Sequence, residues 1–509
     1  MLRTVIFDDQ IKLWWDYEKT TKEECFVIYT NNEKLGKTKA SNYSVKNLIG
    51  DTEYQFSVFI ETCDGKKVKE VGSVKVKTLA EKEKIDVTKP PYNAVGDGQT
   101  LNTIAIQKAI DDCKENQCVY VPEGTFLTGG LMLHSDMELR LHDNAILQGT
   151  VNKDDYLPKI KSRFEGHEGM CYRSLINTGE LNNKGGYNCK NVIIRGGKIL
   201  GGGEQLRVNI IDYEKQFRIQ DAIEKGLPEE EVYSFDNIRV EPGRARGRAM
   251  HICNTQNIII ADTVTGNGPA WNLHFIYSDN IITCGCQVIS QGISNGDGWD
   301  PDSSTNCVVF DTAFETGDDC VAIKSGKNIE GNIINRPTEH VRIFDVTASG
   351  GWGIAIGSEM AGGVGDVKIW NAHLKGTWSG VNVKAPAERG GFVRDIEVYN
   401  CIMPQVHVAQ RYRGNHGDKP APHPPVLENF IFEDLILSGV ATFFGKTELE
   451  PALSFIGGEE EEYKIRNVKI KNVTLPGRTL APYQDFIFDS VKNVSIENIS
   501  VPCKKVDSH

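Results

Sequence analysis

Asn295-Gly-Asp297-Gly-Trp-Asp300, followed after a strand-like run by Thr316-Gly-Asp318-Asp319-Cys-Val-Ala-Ile-Lys324, is the stretch on which the fold turns. It holds three carboxylates, Asp297, Asp318 and Asp319, among short β-patterned segments. If one coil of a repeat takes a little over twenty residues, the separation 318 − 297 = 21 sets Asp297 on the rung beside the pair. Neighbouring strands lie about 4.8 Å apart, so the three acids would share one patch. Like charges that close cannot all ionise, and at least one carboxyl keeps its proton near neutrality. An acid and a base then stand together, the pair of roles used in glycosidic-bond cleavage. Aspartates beside glycine also mark solvated turns or calcium ligands, and that plainer reading stands next to the first.

Outward from this stretch one line of sequence recurs. Asn191-Val-Ile-Ile, Asn257-Ile-Ile-Ile, Asn280-Ile-Ile-Thr, Val341-Arg-Ile-Phe, Val367-Lys-Ile-Trp, Ile396-Glu-Val-Tyr-Asn400, Phe430-Ile-Phe-Glu-Asp, Val468-Lys-Ile-Lys-Asn472 and Val494-Ser-Ile-Glu-Asn498 are its versions. Steps such as 280 − 257 = 23 and 396 − 367 = 29 are one coil each. Stacked coils that bury their inward residues as ladders predict an all-β fold, a right-handed parallel β-helix over residues 91–509. Asn102 is placed to cap a helix beginning near Ile104, and that helix closes the open end of the solenoid. Residues 203–248 and Gly326 to Glu339 interrupt the repeat and would narrow one end of a groove.

Residues 1–80 alternate apolar and polar in short runs, including Ile11-Lys-Leu-Trp14-Trp15 and Glu53-Tyr54-Gln-Phe56-Ser-Val58, the pattern of a small β-sandwich. With a tryptophan on an early strand and Leu48 followed by Thr52-Glu-Tyr54, this stretch resembles a fibronectin type III domain. Residues 81–90 read as a charged linker. The 509 residues carry a net charge of -12, which argues against nucleic acid and gives no attraction to anionic membranes. There is no membrane-length apolar run and no signal-peptide core. Thirteen cysteines without paired spacing fit reduced thiols. The expected location is therefore the cytoplasm, or outside the cell if an export segment has been removed. No metal and no cofactor is expected.

The residues quoted at the outset, with Ile356-Gly-Ser358-Glu-Met-Ala-Gly-Gly-Val364, resemble glycoside hydrolase family 28, the polygalacturonases, and especially its exo-acting bacterial branch. The resemblance runs from about residue 86 to 500 and implies a pectin-lyase-like solenoid. It implies Asp318 as general acid, with Asp297 and Asp319 holding and activating water, in an inverting mechanism without metal. Inversion leaves roughly 6.5–9.5 Å between acid and base for that water. The partner implied is a pectic oligosaccharide, and Asn295, Trp352, Asn382, Lys384, Arg411 and Tyr412 are the candidates for binding it. Two positions depart from the family: Trp352 stands where a histidine is usual, and Asn382-Val-Lys384 replaces an Arg-Xaa-Lys line. Asparagine cannot grip a carboxylate as an arginine fork does. Either one subsite accepts a neutral sugar, as in a rhamnogalacturonan hydrolase with Trp352 as a stacking platform, or Arg389, Arg411 or Arg413 restores the charge. A carbohydrate-binding protein without turnover and a calcium-dependent lyase are the other classes to separate. His274, one coil before Asp297, either lines the groove or is structural.

Overall fold

The computed structural model describes residues 1–31, 33–234, 241–412, 419–443, 445–476 and 485–501. The chain divides into two compact units, Met1–Lys84 and Ile85–His509.

In the first unit Leu2–Ile6, Gln10–Trp15 and Asn42–Lys46 form one antiparallel sheet. Glu33–Thr38, Glu24–Thr30, Glu53–Thr62 and Lys67–Lys77 form another, in that spatial order. The alternation puts Ile11, Leu13 and Trp15 of the first sheet against Phe26, Ile28, Phe56 and Val58 of the second. The Trp15 and Phe26 rings lie 4.9 Å apart, tilted by 59°. The Tyr54 hydroxyl accepts a hydrogen bond from the Ile49 backbone N–H at 2.9 Å and ties the strand to the turn before it.

The second unit is a parallel β-helix. Its short strands, Leu131–Leu133, Ile176–Thr178, Met250–Cys253, Leu273–Ile276, Trp299–Asp302, Val321–Ile323, Ile354–Gly357, Val381–Lys384, Val406–Ala409, Leu453–Ile456 and Phe486–Asp489, stack as one parallel sheet. The rest of each coil forms a larger sheet, in which Asp279–Cys284 and Gln287–Ile289 of one coil both pair with the single strand Thr305–Glu315 of the next. Ile258 pairs with Ile281 and Val367 with Ile396, the steps of 23 and 29 expected from the repeat. Inward residues form continuous ladders, and a second aromatic ladder, Phe310, Phe344 and Trp370, stacks with centroids 5.0 and 4.3 Å apart.

The asparagine that opens so many repeats has a physical reason. Asn191, Asn257 and Asn280 sit at φ near +55°, where a tight corner needs a left-handed residue and asparagine tolerates one. Their amides bond coil to coil: Asn280 donates to Asn257 and Asn257 to Asn191, each at 2.8 Å. The chain thereby turns its corner and pairs its side-chain polar groups at once.

The helix Thr103–Asp112 lies where expected and buries Ile106, Ala109 and Ile110 in the solenoid core. Asn102, however, makes no side-chain cap. Its Oδ1 accepts from Val95 N–H at 2.7 Å and its Nδ2 donates to the Val95 and Thr100 carbonyls. Glu83–Asp86, inside the stretch read as a linker, is a strand, because the neighbouring Val87 is fully buried and its N–H donates to the Tyr120 carbonyl. The interruptions hold the helices Gly203–Glu224 and Asn328–Ile334. A hairpin of Ile160–Phe164 and His167–Cys171, not foreseen from sequence, joins them. No helix among the described residues is long and apolar enough to cross a membrane.

Candidate active site

Trp299–Asp302 shows how the sheet builds the site. Trp299 is fully buried in the core ladder, while Asp300 and Asp302 point to the opposite face. Asp297 lies in the turn entering this strand, and Asp318 and Asp319 in the turn entering the next. Trp299 pairs with Val321, a step of 321 − 299 = 22. The register thus sets Asp297 against Asp319, and the Gly298 N–H donates to the Asp319 carbonyl at 2.9 Å. The glycine after Asp297 is required by this approach: a Cβ on Gly298 would stand 2.4 Å from the Cys320 carbonyl oxygen. Gly351, at φ +80°, lets the next coil come as close to Asp318, whose carbonyl accepts from the Trp352 N–H at 3.1 Å.

Two lysines hold two of the acids. Lys384 Nζ donates to both oxygens of Asp319, at 2.9 and 2.7 Å. Lys324 Nζ meets Asp297 Oδ2 at 3.2 Å and Glu359 Oε2 at 3.4 Å. Among the described residues no lysine pairs with Asp318; burial and then the neighbouring Asp319 push its carboxyl up to about 6. Burial drives the Asp297 carboxyl well above the usual range against the pull of Lys324. Burial also works against the Glu359 charge, but Lys324 and Arg389 outweigh it and bring that carboxyl down to about 2. The arrangement therefore offers one acid, Asp318, that carries a proton near pH 6, and two more, Asp297 and Asp319, each with a lysine fixed against it.

The hairpin 160–171 covers this region from one side. Phe164 stacks on Trp271 at 4.6 Å, Arg163 Nη1 pairs with Asp302 at 3.0 Å, and Arg248 lies over the Phe164 ring at 4.3 Å. The hairpin is bonded to both interruptions: His167 Nδ1 lies 3.0 Å from Glu330 of Asn328–Ile334, and Arg244 reaches Glu165 at 3.3 Å. Among the described residues no group of three or more His, Cys, Asp or Glu side chains could hold a metal ion.

Residues 234–418 match the model of Glycosyl hydrolases family 28, and residues 87–294 that of Rhamnogalacturonase A/epimerase, pectate lyase-like. Over residues 234–418 the chain is similar to glycosyl hydrolases family 28. It is 29% identical over 435 residues to a probable polygalacturonase of Vitis vinifera, covering 81% of this chain and 78% of the relative. It is 26% identical to an exo-poly-alpha-D-galacturonosidase of Dickeya chrysanthemi, over 97% of this chain and 90% of that one. The family 28 exopolygalacturonase of Yersinia enterocolitica superposes with a TM-score of 0.79 over 99% of both chains, at 22% identity. That likeness concerns the fold.

The site places the candidate binding residues unequally. Asn295, half-buried, accepts on its Oδ1 a hydrogen bond from Arg246 Nη2 at 3.0 Å. Trp352, half-buried, lies 5.4 Å from the ring of Trp378, an aromatic neighbour that sequence reading missed. Asn382 sits in register between Ala355 and His407, and its buried Oδ1 meets no donor among the described residues. Tyr412 is 39% exposed, its ring centroid 6.0 Å from Lys384 Nζ. Arg411 is half-exposed and paired with Asp489 at 3.0 Å and Glu459 at 3.9 Å. Arg389 does not restore the charge lost at Asn382: it is fully buried and donates to the Ser358 carbonyl at 2.7 Å and Asn328 Oδ1 at 2.6 Å. Arg413 lies outside the described residues.

His274 is structural, fully buried with Nε2 3.3 Å from Asp302, and burial takes its ring down to about 3. Lys324 and Glu359 also went unassigned in the sequence. Lys324 was legible as the polar residue ending a strand whose Val321 and Ile323 face the core. Glu359, Arg246 and Arg248 reach the site from loops, and no periodicity announces them.

Proposed function

We propose that the protein removes galacturonosyl units from the end of pectic oligosaccharides by inverting hydrolysis. The observation that carries this reading is the contrast among the acids: Asp318 keeps a proton near pH 6, while Asp297 and Asp319 are each bound to a lysine. Asp318 gives its proton to the glycosidic oxygen as the bond from that oxygen to the anomeric carbon breaks. Water attacks the same carbon from the opposite face and passes its proton to the carboxylate side, Asp297 with Asp319, so one bond breaks, one forms and the anomeric centre inverts. The name of the Dickeya relative supports the exo mode and the galacturonosyl substrate. So does the hairpin 160–171, bonded to both interruptions, because a groove closed at one end admits chain ends. A cytoplasmic place of action belongs to the same proposal, supported by ten buried free cysteines.

The test is product release from oligogalacturonates, followed by chromatography and by NMR of the new anomeric centre. The expected result is a single short product from the first minutes and an inverted anomer. A spread of oligomer sizes at early times would overturn the exo mode. Unsaturated products would overturn hydrolysis. Because Asp318 acts as the acid, kcat should fall as pH rises through about 6, where its proton is lost.

A further inference from the structure

Asp300 has no place in the chemistry above, yet its setting is unusual. It is fully buried, three residues after Asp297 on the same run of chain, and neither of its carboxyl oxygens meets a donor among the described residues. Its neighbours are better provided. Asp297 Oδ2 has Lys324 at 3.2 Å, and Asp302 has Arg163 at 3.0 Å and His274 at 3.3 Å. The groups that face Asp300 are Asp302 from its own strand, Asp297 from the turn entering it, His274 in register on the preceding rung, Lys324 and Asp319 from the next coil, and Arg248.

Two buried carboxyls this close do not both ionise, and the proton goes to the one with the weaker claim on a cation. Lys324 bonds Asp297, so that partner is Asp300. We infer that Asp300 carries a proton in the resting protein and is a positioning residue that keeps Asp297 ionised. Burial, followed by the charge on Asp297, pushes the Asp300 carboxyl well above the usual range; burial raises Asp297 as well, so the Lys324 contact is what separates the pair. A protonated carboxyl has an O–H to donate. Its first charged neighbour, Asp297, has a buried Oδ1 that likewise meets no donor among the described residues, an acceptor open to that O–H. Asp300 thus adds no second negative charge beside the base and supplies a donor there.

This rests on Asp297 acting as the base in the proposed hydrolysis. The experiment compares Asp300→Asn, Asp300→Leu and Asp297→Asn in the full chain, reading kcat/KM on oligogalacturonate against pH. Asp300→Asn, neutral and still a donor, should keep kcat/KM within about threefold and leave the acid limb where it is, since less than 1.4 kcal/mol separates effects under tenfold. Asp300→Leu, without a donor, should move the acid limb to higher pH. The inference is overturned if Asp300→Asn loses activity as Asp297→Asn does, or if its acid limb moves to lower pH, the mark of a removed negative charge. Should Asp300→Asn not fold, atomic-resolution C–O bond lengths in the unmodified protein decide. Unequal lengths at Asp300 support the proton, and equal lengths refute it. Activity retained by Asp297→Asn would sink the proposed role of Asp297 and leave the bond lengths at Asp300 unchanged.

Discussion

The two faces of the sheet that contains Trp299–Asp302 follow opposite rules. On the inner face Leu273, Trp299, Val321 and Ile354 meet their like in the next coil, and each rung repeats the last. On the outer face the character changes from rung to rung around the site: His274 is followed by Asp300, Asp302 by Lys324, and Gly357 by Lys384. The inner face is stabilised by burial, which adds residue by residue and needs only apolar side chains of fitting size. The outer face is a network in which each charge is set by its neighbours, so exchange of one residue changes the others.

Substitutions on the two faces should therefore fail differently. Replacing Asp318 with Asn removes the proposed proton donor, and kcat should fall by roughly 10²–10⁴-fold with unchanged thermal stability, checked by steady-state kinetics and calorimetry. On the inner face Trp299→Ala leaves a large cavity and should cost about 3–5 kcal/mol in denaturant unfolding. Turnover by the remaining folded fraction should change far less, and equal loss of stability and kcat would break the comparison.

Lys324→Met joins the two regimes. It strips the cation from buried Asp297 and Glu359, and breaking such a pair should destabilise by about 3 kcal/mol, the lower end for buried ion pairs because Asp297 can relax by taking a proton. It should also move the acid limb of kcat/KM to higher pH, since Asp297 then ionises less readily. At the corners, Asn257→Ala should cost about 1–2 kcal/mol for a left-handed alanine. Asn257→Gly should cost less, and the difference measured by chemical denaturation separates backbone strain from the loss of the amide ladder.

Legibility followed the same division. The repeat of Asn191-Val-Ile-Ile, Asn257-Ile-Ile-Ile and Asn280-Ile-Ile-Thr revealed the coil, because an apolar alternation must match the strand period wherever one face is buried. The acids could be placed together because a turn recurs once per coil. The lysine partners could not be assigned from spacing: Lys384 lies 384 − 319 = 65 residues from Asp319, across two coils of unequal length, 354 − 321 = 33 and 381 − 354 = 27 residues. Arg389 illustrates the opposite error. In the sequence it stands five residues after Lys384 and looks available, whereas folding spends it on Ser358 and Asn328.

By itself the sequence determined the alternating strands, the coil length near the acids and the meeting of Asp297 with the Asp318-Asp319 pair, since each depends on local periodicity and chain geometry. Only the tertiary structure decided which acid is bound to which lysine, that the hairpin 160–171 lies against both interruptions, and that Asp300 is buried with no hydrogen-bond donor among the described residues. Those outcomes depend on contacts between distant segments and on exclusion of water, and neither is written in the spacing of residues along one chain.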